Sequence, residues 1–501
     1  MEILGYLAEA ATLQNLLWLT MASLLGALLG ALPGISATTA IAIFLPITYG
    51  LDPTTGLITM AAIYVTGSYG GNITAVLLNT PGTDDSLFMT FDGYPMTVKG
   101  EGLRAVGITT YSAFIGGIIG GVALLFIAPP LARIAIMFGP VELFLTSLMG
   151  IVIIVGLTKG GMLKGLISAA FGLLCAVVGL DKITGMPRFD FGVDQLYDSL
   201  PLIPVLLGLF AVSQVLLLTA SESDIIASED TSEHRAVFIK LRDHLKLLIN
   251  NIRSSIIGTM VGIIPAAGTT VSAGITYNIS KKLSKHPETF GHGNEHGLAS
   301  VSATNNAVVG GSLVPLLSLG IPGNGTAALF LGALLIHGLS PGARLFTTNA
   351  EAIYGMIFGL IAANFFILVV GLYGARLYAK VTKIPKSILI PVVGAFIVLG
   401  AYLTRYLAFD MFLILFFGLI GYYMILAGFS MAPFVLAFIL GKLVETQFRR
   451  ALQIYGEDFV GHMLTDPISL ILLSVNILFL LLPFWEDIRK VFRRRTPSVK
   501  A

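Results

Sequence analysis

Ala31-Leu32-Pro33-Gly34, Tyr69-Gly70-Gly71-Asn72 and Asn79-Thr80-Pro81-Gly82-Thr83 interrupt the apolar first part of this chain. A second set, Ile264-Pro265-Ala266-Ala267-Gly268, Gly310-Gly311-Ser312 and Gly320-Ile321-Pro322-Gly323, interrupts the later part in the same order. Pro33 and Pro265 are 232 residues apart, Gly70 and Gly310 are 240 apart, and Pro81 and Pro322 are 241 apart. Near-constant offsets indicate a duplication with one insertion. Lipid cannot satisfy free peptide groups, so broken backbone at membrane depth survives only where protein or a wet cavity surrounds it. A matched pair of interruptions in two halves is the sequence pointer to a transporter's substrate site.

Composition makes the membrane reading firm. Of 501 residues, 55% are hydrophobic and 12% charged, with mean hydropathy +0.87; soluble domains carry roughly 25% charged residues. A net charge of +2 gives no field for nucleic acid. The 56 glycines suit close helix packing, and Gly26/Gly30, Gly116/Gly120 and Gly117/Gly121 have the spacing for it. Cys175 is the single cysteine, so an intrachain disulfide is excluded and a small buried hydrophobe is expected. Met1-Glu2-Ile3-Leu4-Gly5-Tyr6 lacks a basic start, so the first span is expected to persist in the mature protein.

Apolar segments near 12–32, 36–50, 54–78, 105–130, 137–157, 163–180, 200–220, 253–279, 299–319, 325–340, 352–380, 387–404, 407–428, 431–446 and 467–485 imply roughly twelve spans. The remainder read as broken or re-entrant helices. The expected fold is therefore an all-α polytopic membrane protein of two related halves, taken as an inverted repeat. Residues 1–220 form the first half, 221–252 a polar or amphipathic connector, 253–485 the second half and 486–501 a basic tail. Phe238, Leu241, Leu245 and Leu248 suit an amphipathic helix in the connector, at the bilayer interface or in water. Arg489, Lys490, Arg493, Arg494 and Arg495 place the C-terminus in the cytoplasm, with Trp485 as a headgroup anchor. Lys380, Lys383 and Lys386 mark a second cytoplasmic loop, and the N-terminal tail, with Glu2 and Glu9 but no base, leans outward.

A helix that starts inside the membrane offers free N–H groups and a partial positive charge, which attract carboxylate. Pro33-Gly34, Pro81-Gly82, Pro265 and Pro322-Gly323 are four candidate openings, read with proline in the first helical position. Hydroxyls and amides cluster beside them. The candidate substrate-binding set is Gly34, Ser36, Thr38, Asn72, Thr74, Asn79, Gly82, Thr83, Asn305, Asn306, Ser312, Gly323 and Asn324. Such groups donate to a carboxylate without burying a charge. Thr39, Thr270 and Asn306 are candidates near a Na⁺ ion, because hydroxyl and carbonyl oxygens also ligate Na⁺. Few Asp, Glu or Lys interrupt the spans, so a carboxylate proton relay is not visible. Glu142, after Gly139-Pro140, reads as an acid at a helix start. His292 and His296 sit in a Gly-rich loop context that argues against a metal site, and the chain has no phosphate-binding P-loop.

Pro33-Gly34 with Thr38-Thr39-Ala40, Tyr69-Gly70-Gly71, Pro81-Gly82-Thr83, Asp92-Gly93-Tyr94-Pro95, Asn305-Asn306-Ala307, Gly310-Gly311 and Leu319-Gly320-Ile321-Pro322-Gly323 resemble the large membrane subunit of tripartite tricarboxylate transporters, the TctA family. The resemblance covers nearly the whole chain. It implies a permease of a prokaryotic inner membrane that takes a carboxylate from an extracytoplasmic binding protein. It also implies a second, small membrane subunit and secondary, symport-type uptake driven by Na⁺ or H⁺, with no other cofactor. The chain departs from the family pattern at Ala266, at Val301-Ser302 in place of Pro-Glu, and at Asn72 in place of Ser.

The expected function is binding-protein-dependent uptake of small di- or tricarboxylates. Alternatives are a passive anion channel, or a permease for a different small organic solute. An intramembrane enzyme ranks last, because no nucleophile–base pair or metal cluster appears in the spans. Homo-oligomerisation is left open.

Overall fold

The computed structural model describes residues 2–32, 35–79, 84–156, 161–181, 184–220, 241–264, 268–381 and 386–494. Pro33, Gly34, Thr80, Pro81, Gly82, Thr83, Pro265, Ala266, Ala267, Phe238, Lys383 and Arg495 lie outside them, as do the side chains of Lys380, Lys386 and Trp485. Helices α1 (Glu2–Ala10) and α2 (Leu13–Gly30) precede the first break, and α3 (Ala37–Thr48) and α4 (Pro53–Leu78) follow it. A 3-10 turn over Asp84–Phe88 opens α5 (Met89–Val98), then come α6 (Gly102–Ile134), α7 (Pro140–Gly156) and α8 (Met162–Ala176). Two short antiparallel strands, β1 (Gly179–Leu180) and β2 (Pro187–Arg188), pair Gly179 with Arg188. Next, α9 (Leu202–Leu206) and α10 (Ser213–Ala220) are joined by a π-helical stretch, Leu207–Val212. The later part holds α11 (Leu241–Ile263), α12 (Gly268–Leu283), α13 (Glu295–Leu319), α14 (Gly325–Ile336) and α15 (Ala350–Val381). It ends with α16 (Lys386–Arg405), α17 (Ala408–Leu426), α18 (Met431–Tyr455), α19 (Phe459–Thr465) and α20 (Pro467–Arg494).

Seven helical stretches among the described residues are long and apolar enough to cross a membrane: 13–30, 102–134, 202–220, 350–371, 387–405, 408–426 and 431–465. The chain is an all-α, multi-pass membrane protein. Helices α3 and α14, at 12 residues each, reach only about 18 Å and cannot span alone. The apolar segment read at 253–279 is two helices, parted at 264–267 beside Pro265, and α11 begins at Leu241 and runs on past 252.

Two compact units divide the chain. The first joins residues 1–135 and 202–422, so its core draws on two stretches that are separate in sequence. Its element order repeats. A helix, a break, a second helix, a long helix with a left-handed C-cap, and another break occur as α2–α3–α4 and as α11–α12–α13. The long helices have 26 and 25 residues, and their caps, Asn79 (φ +55°) and Gly320 (φ +74°), are 241 residues apart. The repeat extends into the packing. A Cβ on Gly26 would lie 2.9 Å from Ile63 Cα, and a Cβ on Gly30 would overlap Gly67 O, so α2 lies against α4 backbone to backbone. Gly258 and Gly262, each 232 residues later, meet Thr304 Cα and Val308 Cα in the same way, which seats α11 on α13. Gly116 and Gly120 of α6 approach the carbonyls of Ala303 and Ala307 on α13. Such contacts replace the hydrophobic drive that lipid cannot supply between helices.

The second unit holds residues 136–201 and 423–501. Its small core packs Val141 and Leu145 with Ala451 and Phe459. Glu142 stands in the first turn of α7, accepts from Gly139 N at 2.7 Å and from the Ser469 hydroxyl, and so has the helix-start role read from sequence.

Adding one methyl at Gly116 must part α6 from α13, because the obstacle is a backbone carbonyl. Gly116→Ala is expected to cost about 1–3 kcal/mol and to lower the melting temperature in detergent. Gly394→Ala, at a site with nothing within 4 Å, should leave it unchanged or slightly raised.

Candidate functional site

Helix α3 is started by Ser36, whose Oγ accepts from Thr39 N at 3.2 Å. Helix α14 is started by Asn324, whose Oδ1 accepts from Ala327 N at 2.8 Å. The openings thus use polar N-caps at Ser36 and Asn324. Pro33 precedes its cap by three residues and Pro322 by two, instead of occupying the first helical position. A side-chain cap satisfies one orphan amide, and the amides of Ala37, Thr38, Gly325 and Thr326 still have no acceptor within their own helices.

These two openings meet. Thr38 Oγ1 and Thr326 Oγ1 are hydrogen-bonded at 2.7 Å, so two positively polarised helix starts share one spot. Ser36, Thr38, Asn324, Gly325 and Thr326 are half-buried, whereas Ala37, Thr39, Gly323 and Ala327 are buried. The accessible groups at this spot are therefore hydroxyls, an amide and peptide N–H groups. Behind it, Tyr64 OH on α4 lies 3.1 Å from Ser312 Oγ and donates to Asn324 Oδ1 at 3.0 Å. Gly323 N donates to Ser312 O at 3.3 Å, and a Cβ on Gly323 would stand 2.8 Å from Ser312 Cα. Gly323 is needed because the chain after the break lies directly on α13.

About two helical turns away, Asn305 Nδ2 donates to Asn72 Oδ1 at 2.9 Å. Tyr64 faces Ser312 while Asn72 faces Asn305, so α4 and α13 run antiparallel. Asn306 Nδ2 reaches Asn364 Oδ1 at 3.5 Å. All four asparagines are at most 1% exposed, and Asn72 Nδ2, Asn305 Oδ1 and Asn306 Oδ1 have no partner. Buried polar atoms left unpaired are costly; the Asn72–Asn305 contact leaves one donor and one acceptor open, and Asn306 Oδ1 is a separate open acceptor on the side facing α15.

The other candidates have local roles. Thr74 donates to Gly71 O of its own helix at 2.9 Å, and Asn79 is the left-handed C-cap of α4. Thr39 Oγ1 pairs with Ser36 Oγ at 3.1 Å, and Thr270 lies in the first turn of α12. Gly34, Gly82 and Thr83 fall outside the described residues. Among the described residues no group of three His, Cys, Asp or Glu side chains is placed to hold a metal. Ser302 is buried and donates to Thr109 O on α6 at 2.7 Å.

Thr326 stands among the polar residues that the sequence clusters beside Pro322-Gly323, whereas two further positions were not singled out as candidates. Tyr64 lies in the middle of α4, away from the Pro-Gly signals. Asp92 appeared only within a family motif, yet it is fully buried and its Oδ1 accepts from Gly291 N, Gly293 N and Asn294 N at 2.8–3.0 Å. It ties α5 to the loop before α13, where Gly291 and Gly293 have φ of +90° and +99°. The Gly-His-Gly-Asn run marked a loop in sequence, and its amides were the available signal.

A model of the TctA family, described as tripartite tricarboxylate transporter TctA family, matches residues 16–436. The chain belongs to this family. It is also 34% identical over 480 residues to an uncharacterized 52.8 kDa protein in the TAR-I ttuC' 3' region of Agrobacterium vitis, covering 96% of this chain and 95% of that protein. A second uncharacterized protein, from the TAR-II ttuC' 3' region of the same organism, is 33% identical over 232 residues, 46% of this chain and 96% of that protein. TctA proteins are membrane subunits of a tripartite transport system that also has a binding protein and a small membrane subunit. The protein is a transporter subunit and not an enzyme.

Asn305→Ala should destabilise by about 1–3 kcal/mol by leaving Asn72 Oδ1 unpaired. Removing both amides should cost less than the sum of the single changes, and a double-mutant cycle on thermal melting would show a coupling of roughly 1 kcal/mol.

Proposed function

We propose that this protein is the permease of a binding-protein-dependent secondary transporter that imports small di- or tricarboxylates by symport with Na⁺ or H⁺. The observation that carries the reading is the meeting of the α3 and α14 helix starts at the Thr38–Thr326 contact. Free first-turn amides and hydroxyls there bind a carboxylate oxygen without a buried cation, so the substrate is held by dipoles and can leave again. The unpartnered Oδ1 atoms of Asn305 and Asn306 favour a neutral-oxygen ion site beside it, and Thr39 and Thr270 remain candidate ligands.

An inverted repeat accounts for the geometry. Equivalent helices α4 and α13 run antiparallel, and the Tyr64–Ser312 and Asn72–Asn305 contacts exchange under the repeat offset of 240 or 241 residues. Two such halves, with α4, α13 and the broken helices counted beside the seven long apolar stretches, suit about twelve crossings. The basic end of α20 supports a cytoplasmic C-terminus in a prokaryotic inner membrane.

The test is reconstitution with the small subunit and binding protein, and uptake from a panel of labelled carboxylates under separate Na⁺ and pH gradients. Accumulation above the outside concentration only with one gradient is expected; mere equilibration would make the protein a channel. Thr38→Val with Thr326→Val should raise KM about tenfold or more, the loss of one or two hydrogen bonds to a charged ligand, while unchanged uptake would remove this site.

A further inference from the structure

The second unit carries an exposed surface that transport chemistry leaves unused. Within this unit α8 and α18 run parallel. At one end Lys164 Nζ donates to Ala427 O at 2.7 Å and Ser168 Oγ to Ser430 O at 2.9 Å. At the other end the β1–β2 hairpin is fastened to α18 by ion pairs. Arg188 binds Glu445 through two nitrogens at 2.7 and 3.2 Å, and Arg449 binds Asp181 at 2.7 Å. Helices α7 and α20 both begin at this hairpin end, where Phe144 stacks near Phe448 at 5.1 Å and Asn476 Nδ2 donates to Leu145 O at 3.1 Å.

The two ends differ in charge. Arg188, Arg449 and Arg450 at the hairpin end lie among seven acidic residues, Asp181, Asp190, Asp194, Asp198, Glu445, Glu457 and Asp458, whereas Lys164, Arg489, Lys490, Arg493 and Arg494 belong to the opposite end. The positive-inside rule then puts the hairpin outside the cytoplasm. On the hairpin, Met186 is 68% exposed, Phe189 54% and Phe191 80%. Phe189 and Phe191 have φ of +52° and +51°, a left-handed conformation that is unfavourable for a residue with a Cβ. The loop is thus pinned by ion pairs and bent so that two aromatic rings point away from its own core, where folding gains nothing from them. No Lys or Arg stands between 189 and 201, and the neighbouring Arg188 is held in its ion pair with Glu445.

We infer that this acidic, aromatic loop is where the extracytoplasmic binding protein docks, presenting a face with basic residues around an apolar pocket. Rigid, exposed aromatics supply the central contact and the three aspartates steer the approach. The inference rests on the binding-protein-dependent reading above.

The experiment uses the full complex. Phe191→Cys, in a chain whose native Cys175 is buried, should react with a membrane-impermeant maleimide from the outside; reaction only after permeabilisation would overturn the proposal. A photo-crosslinking residue at 191 should capture substrate-loaded binding protein, and the same probe at Leu163, on the opposite end, should not. Capture of lipid or the small subunit alone at 191 overturns the proposal. Phe189→Ser with Phe191→Ser, and separately Asp190→Asn with Asp194→Asn and Asp198→Asn, should raise the half-saturating concentration of loaded binding protein at least about tenfold, with the charge variant also losing salt dependence. Unchanged values in both variants, each with wild-type melting temperature, refute the surface. If wild-type uptake needs no binding protein, the transport reading itself fails; if it does and the variants match wild type, only this surface fails.

Discussion

Every peptide group placed in hydrocarbon needs a partner, and this protein breaks its helices there regardless. The breaks survive because α4 and α13 are wrapped. Of the residues from Thr54 to Leu77 and from Gly297 to Ser318, all are buried. Around them α2, α6 and α11 pack through glycines close enough to touch backbone. Protein surrounding broken backbone is what makes open peptide groups tolerable in a membrane, and the half-buried helix starts at Ser36 and Asn324 stand against this scaffold.

The same constraint shapes the chemistry. A buried lysine or arginine could bind a carboxylate, but it would need a permanent counter-charge when the substrate leaves. In the carboxylate site proposed above, two helix starts, capped by Ser36 and Asn324 and joined at Thr38 and Thr326, would give partial charge without that burden. The charged pairs that do occur have structural positions. Asp92 clamps a loop through three amides, Arg405 pairs with Asp410, and Arg188 and Arg449 fasten a hairpin. Each holds backbone in place around the polar centre or at its own end of a helix pair.

Particular residues mark how far the sequence could be read. The glycine pairs 26/30 and 116/120 were legible as packing positions, because small-residue spacing has one main use in a membrane helix. The pair 258/262 repeats 26/30 at the Pro33–Pro265 offset, and that periodicity was open to sequence reading but went unread. Helix positions were legible from apolar runs, and within the run 253–279 the Pro265 signal marked the place where α11 ends at Ile263 and α12 begins at Gly268. Thr74 and Asn79 read as site residues by composition, and the structure gives them a back-bond to Gly71 O and the C-cap of α4. Short polar side chains beside a break serve either purpose, and only direction separates the two.

The sequence by itself determined a helical, multi-pass protein with duplicated interruptions, because hydropathy and the Pro-Gly signals are local properties. The tertiary structure alone decided which interruptions face one another. Thr38 meeting Thr326, Tyr64 meeting Ser312 and Asn72 meeting Asn305 each join residues more than 200 positions apart. Such pairings depend on how whole helices cross, and helix crossing is set by the summed packing of glycine-lined faces, which no single stretch of chain encodes.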